Sequence, residues 1–261
     1  SIGIYQYTST SATNATGTNS NNTYYNVTVE NAYQGIILNG TSTTYPDEYC
    51  YIESCIVGAN SINDIGMGST APAGIRATYL KNVSIINNIV RNVTSTGASV
   101  NGIFSQNTSG TNNNIANNNV YTIGTTSTSS SYYIYGIRVE IVSGAVANIY
   151  NNMVSNLHHA IATATSTILI RGIEVGSSGT GSSNVFYNSV SITEDGFPSS
   201  AAMYIGTNGN HNLANNIFAN FSTPNATSLR YAIYKGTGST FNSNYNDLYV
   251  FPGTNSFIGY Y

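Results

Sequence analysis

The chain has 261 residues and a net charge of −3, and only 7% of its residues are charged, against a usual ~25%. That length admits one large domain or two ordinary ones. The composition offers no basic footprint for nucleic acid and no stretch approaching the ~20 apolar residues of a membrane insertion.

Read in chain order, the apolar residues fall on a period. Gly35-Ile36 opens a strand-like piece that continues into Ile37 and Leu38. Cys50 and Cys55 follow in "CYIESC"; on one continuous strand that odd spacing sends them to opposite faces, too far apart to bridge. Gly74-Ile75 opens the next unit, followed by "IINNIVRNV" from Ile85 to Val93. Gly102-Ile103 precedes "NIANNNVYTI" (114–123), and Gly136-Ile137 precedes "NIYNNMVSNL" (148–157). Gly172-Ile173 opens the next unit, Ala202-Met203 precedes "NLANNIFANF" (212–221), and Ala232-Ile233 ends the series. Each unit reads as three short strand-like pieces separated by Ser/Thr/Gly loops. The inward column of the second piece is predicted as Ile85, Ile115, Ile149, Phe186 and Leu213, and that of the third as Val93, Ile123, Leu157 and Phe221.

A period of 20–50 residues indicates a solenoid, propeller or array. No apolar stripe at helical spacing runs through these units, and β-branched residues and Asn are abundant, which excludes helical repeats. A propeller blade needs about forty residues and four strands, more than these units supply. The reading is all-β: a parallel β-helix of about seven or eight coils with three parallel sheets, residues 1–261 forming a single domain. Stacked Asn at a sharp corner can pass amide hydrogen bonds from coil to coil, and Asn tolerates the left-handed backbone such a corner demands. The predicted structural Asn ladder is Asn88, Asn118, Asn152, Ser189 and Asn216.

The Gly-Ile strands followed by "N-x-x-N-N-x-V" blocks resemble the pectate-lyase-like right-handed β-helix superfamily over about residues 24 to 250. The resemblance implies right-handedness, an internal asparagine ladder between the second and third sheets, and, in the enzymes of the superfamily, a substrate groove along the first sheet. The closing "NSNYNDLYV" and "NSFIGYY" are similar to repeat segments of very large secreted β-helix surface proteins of Bacteroidetes-type bacteria.

On that reading the outward column of the first sheet is Ile37, Arg76, Phe104, Arg138, Glu174, Tyr204 and Tyr234. A lyase would gather acidic residues for Ca²⁺ beside a basic side chain, and a hydrolase would pair carboxylates. Asp47, Asp64, Asp195 and Asp247 instead read as scattered through loops and the terminal block. No catalytic residue, metal site or cofactor is expected. The densest charged group is Arg138, Glu140, Arg171 and Glu174, expected as a structural cross-strand salt bridge from Arg138 to Glu174. Arg138, Glu140, Glu174, Tyr204 and Tyr234 are the candidate ligand-binding residues, with a polysaccharide as ligand. His158, His159 and His211 read as loop or surface residues. Nine Asn-x-Ser/Thr sequons, Asn26, Asn82, Asn107 and Asn220 among them, are expected by chance in so Asn-rich a chain. No initiator Met or signal-peptide pattern is present, so the chain is expected to be a piece of something longer. The expected role is a non-catalytic structural element of an extracellular or cell-surface bacterial protein, a rod, fibre or adhesin segment. Its expected partners are neighbouring coils or a second copy end to end; the alternative is a carbohydrate-binding or carbohydrate-cleaving β-helix.

Overall fold

The computed structural model describes residues 1–7, 14, 17–40, 44–59, 64–66, 71–107, 112–163, 165–177, 179–194, 198–223 and 227–260. Three parallel sheets coil around one apolar interior in about eight turns, with no α-helix among the described residues. The coil is consistent with the right hand that parallel crossovers take. The first sheet contains the Gly-Ile strands, among them Gln34–Asn39, Ala73–Lys81, Val100–Asn107, Ile134–Ile141, Ile168–Ser177, Ser199–Ile205 and Arg230–Lys235. The second runs from Thr23–Tyr25 to Thr240–Asn244, and the third from Thr28–Val29 to Asp247–Val250.

Pairing holds one register over many coils, so each inward position becomes a column of like residues. Ile52, Ile85, Ile115, Ile149, Val185 and Leu213 stack in the second sheet, and Val57, Val90, Val120, Val154, Val190 and Phe218 in the third. The glycines of the first sheet face that valine column. A Cβ on Gly136 would sit 2.3 Å from Val154 Cγ1 and 2.6 Å from the Gly172 carbonyl oxygen; Gly74, Gly102 and Gly172 are hemmed in the same way. The Gly-Ile signature therefore records close approach of two sheets.

The asparagine pairs divide their work. The first of each pair is the corner itself: Asn87, Asn117, Asn151 and Asn215 have φ of 59, 57, 55 and 56°, the left-handed region that Asn enters at low cost. The second turns inward as the ladder. Its rungs are Asn88, Asn118, Asn152, Asn188, Asn216 and Asn246, and from Asn118 on each accepts on Oδ1 from the Nδ2 of the rung before at 2.8–3.0 Å. The same oxygens take the preceding backbone N–H, and each Nδ2 also reaches a carbonyl one coil back. Cys55 occupies the ladder position before Asn88, and its N–H donates to Asn88 Oδ1 at 2.9 Å.

Four expectations are corrected here. Ser189 is not a rung; it pairs with Met153 on the third sheet, and the rung is Asn188. The cause is Tyr187, which takes the left-handed corner (φ 58°) where Asn stands in neighbouring coils, so alignment on an Asn pair slips by one residue. The same slip assigned Phe186 to the core in place of Val185. Phe221 is 45% exposed, because Asn220 holds the inward position beside it. Cys50 and Cys55 are both buried and unbridged; they lie at two corners flanking Tyr51–Glu53, so the alternation of one continuous strand does not apply.

Candidate functional site

The first sheet aligns its outward side chains coil on coil as Tyr5, Ile37, Arg76, Phe104, Arg138, Glu174, Tyr204 and Tyr234. A second row beside it carries Tyr135, Arg171 and, beyond Ala201, Tyr231. Cations and rings interleave. The Arg138 guanidinium lies 4.7 Å from the Tyr135 ring centre and 5.2 Å from that of Phe104. Arg171 lies 3.8 Å from the ring centre of Tyr204 and 4.8 Å from that of Tyr133. Tyr204 and Tyr234 stack at 4.9 Å. Such contacts suit flat, half-buried cations.

The carboxylates are engaged within the same group. Arg171 Nη1 lies 2.5 Å from Glu174 Oε2, and Arg138 Nη2 lies 2.5 Å from Glu140 Oε1. The expected cross-strand pair, Arg138 to Glu174, is the longest contact at 3.7 Å. Arg171 lies three residues before Glu174 on the same strand, and Glu174 is held mainly by this neighbour. Gln106 donates to the second oxygen of Glu140 at 3.0 Å. Burial opposes the charge on Arg171, but the pair with Glu174 outweighs it and holds the guanidinium above its usual value. Burial and the Glu174 charge push the Tyr135 hydroxyl up to about 12.

The candidate residues thus converge. Glu140, Glu174, Arg171 and Tyr204, with Gly176 and Gly206, line an open depression of about 450 Å³. A neighbouring one of about 560 Å³ is walled by Tyr133, Arg171, Tyr204, Tyr231, Tyr234 and Phe257. Arg138, outside that lining, contacts both of its carboxylates. Among the described residues no three His, Cys, Asp or Glu side chains gather at metal-binding distance.

Asp47 is not in a loop: it lies on the short strand Asp47–Glu48, 1% exposed, accepting from Gln6 Nε2 and the Asn19 N–H. Asp64 is buried and accepts the N–H of Asn31 and Ala59. Asp247 lies on Asp247–Val250, and Asp195 is outside the described residues.

The histidines correct another expectation. His159 and His211 are each 1% exposed. His159 accepts the Ile161 N–H on Nδ1 and donates from Nε2 to Tyr132 O, both at 3.1 Å; these partners require the neutral ring. His211 accepts the Ser183 hydroxyl on Nδ1 at 2.8 Å and donates to Asn208 O. Ser183 and His211 have nucleophile–base spacing, but Ser183 is fully buried and no substrate can reach it. His158 is exposed and pairs with Glu194 at 2.9 Å.

Burial lowers His159 and His211 below 6.5, whereas the Glu194 hydrogen bond raises His158. A lowered histidine binds its proton more readily in the unfolded chain. Its contribution is present above pH 6.5 and lost as pH falls. His158 acts with opposite sign, stabilising below 6.5 and losing that as pH rises through its folded value. Two buried groups outweigh one exposed pair, so the melting temperature is expected to fall from pH 7.5 to pH 5, and His211→Gln to flatten that decline.

Comparisons with protein-family models, with curated proteins and with solved structures gave no match.

Proposed function

We propose that this chain is a non-catalytic structural β-helix, a rigid rod, fibre or adhesin element at a bacterial cell surface or outside the cell, of the pectate-lyase-like superfamily and of the kind found in large secreted Bacteroidetes-type proteins. The observation that carries the proposal is the unbroken internal ladder from Asn88 to Asn246. Nearest-neighbour contacts repeated in one register add stability coil by coil, which is what a load-bearing or protease-resistant rod requires. Further coils, from a longer chain or from a second copy stacked end to end, would extend the same columns. Electron microscopy of the protein as isolated from its source tests this: long uniform rods or filaments are the expected result, and compact discrete particles count against it.

One observation favours a second reading. The stacked Tyr204–Tyr234 pair, with Arg171 against Tyr204, offers a flat aromatic platform beside polar groups, which suits a sugar ring. If the first sheet binds polysaccharide, Tyr204→Ala with Tyr234→Ala abolishes retention on a glycan array without changing the melting profile by more than a few degrees. Unchanged retention removes that reading.

A further inference from the structure

A second asparagine ladder lies on the outside of the second sheet. Asn114, Asn148, Asn184, Asn212 and Asn242 share one register. Each rung donates from Nδ2 to the Oδ1 of the rung before, at 3.0, 2.9, 3.1 and 3.2 Å. Unlike the internal ladder it is open to water: the first three rungs are half-buried and the last two exposed. An interior rung spends one N–H and one lone pair on its neighbours, leaving one of each turned outward. The face therefore presents a donor and an acceptor at every strand spacing of ~4.8 Å. An outward row carrying Tyr150, Phe186 and Ala214, with the buried Ala116 at its start, runs beside it, and Tyr187 at the adjoining corner is 60% exposed. The outward positions of these five strands, from Asn112–Ala116 to Thr240–Asn244, carry no charge.

We infer that this face is a lateral contact between two copies of this chain. A partner that satisfies the outward amides must repeat its own donors and acceptors at the strand spacing, and a second copy of the ladder has that period by construction. The ladder is directional, with every Nδ2 pointing toward the earlier coil. A two-fold axis through the middle rung, Asn184, therefore sets the two ladders antiparallel and brings donors to acceptors in an isologous contact. Asn ladders facing across paired sheets are a known mode of dry sheet packing. The absence of charge removes both repulsion and the desolvation of ions. Five strands of five residues cover about 24 by 16 Å, or roughly 800 Å² over both partners, below the ~1,200 Å² of a standard stable interface. The pair is accordingly weak and reversible for a chain of this length, and strengthens with every added coil. The inference rests on the second sheet alone, and it can fail while the rod reading stands.

Sedimentation velocity from low micromolar to millimolar concentration tests it. The expected result is a reversible dimer. Asn148→Asp with Asn212→Asp is expected to weaken it at least about tenfold at low salt, with partial recovery as salt screens the new charges. A second variant, Asn184→Cys, treated with a short bismaleimide, is expected to give a covalent dimer, since Cys50 and Cys55 are buried and do not compete. Ser155→Cys on the third sheet is expected to stay monomeric. If the Asp variant fails to fold, Asn148→Ser with Asn212→Ser removes the amides without adding charge. A monomer at every concentration, a dimer unaffected by these changes, or equal capture through Ser155→Cys overturns the proposal.

Discussion

Replacing Asn152 by Ala is expected to cost about 3–5 kcal/mol and to lower the melting temperature by roughly 10 °C. Asn152 is fully buried in the middle of the internal ladder. Its Oδ1 accepts two hydrogen bonds from Asn118, from backbone N–H at 3.0 Å and from Nδ2 at 2.9 Å. Its Nδ2 donates to Ile115 O at 2.8 Å and to Asn188 Oδ1 at 2.9 Å. Truncation leaves both Asn118 donors and the Ile115 carbonyl without those partners inside the core. An orphaned buried polar group costs far more than the net gain of a typical hydrogen bond, which is why the effect is large. Asn152→Asp keeps the acceptor but places an oxygen against the Ile115 carbonyl and Asn188 Oδ1, so it is expected to be at least as damaging at neutral pH.

The external ladder supplies the matched comparison. Asn184 makes the same kind of amide contacts, to Asn148 at 2.9 Å and from Asn212 at 3.1 Å, but water can replace each of them. Asn184→Ala is expected to cost under about 1 kcal/mol. Equal losses at Asn152 and Asn184 in a urea titration would mean that burial is not what gives the internal ladder its strength.

Much of this architecture is legible in the sequence, because a solenoid writes its register into the period. The first-sheet column from Ile37 to Tyr234 could be aligned directly, since the glycine before each inward Ile marks the place where the third sheet approaches. The period is hidden where one property replaces another at a shared position. Tyr187 adopts the left-handed corner without being Asn, so Asn188 and Val185 were displaced by one residue. Asn92, Thr122 and Asn156 adopt the same conformation inside the third-sheet strands (φ 54, 57 and 51°), a bend with no fixed residue type to announce it. His159 and His211 were misplaced because a histidine satisfied by backbone carbonyls and a hydroxyl carries no partner motif in sequence. The external ladder was visible as the leading Asn of "NIANNN", "NIYNNM" and "NLANNI", but only the pairing of strands shows that these amides touch.

The approach of the first and third sheets leads to the second large effect. Gly136→Ala is expected to destabilise by about 2–3 kcal/mol, since its Cβ would overlap Val154 Cγ1 at 2.3 Å and the Gly172 carbonyl oxygen at 2.6 Å. The last coils indicate the remedy. Ala202 and Ala232 follow the glycines in this column, and there the valine column changes to Phe218 and Leu248. Neither Phe nor Leu branches at Cβ, so each carries one Cγ where Val carries two, and that one can turn away from the alanine. Val154→Leu in the Gly136→Ala background rebuilds that pairing. It is expected to recover about 1 kcal/mol or more, although alone it overpacks the wild-type core. A thermodynamic cycle of the two single variants and the double variant reads the coupling directly. Purely additive losses would mean that the Gly172 carbonyl, which the leucine does not relieve, sets the cost, and that the glycine column answers to the backbone of the next coil rather than to the side chains of the third sheet.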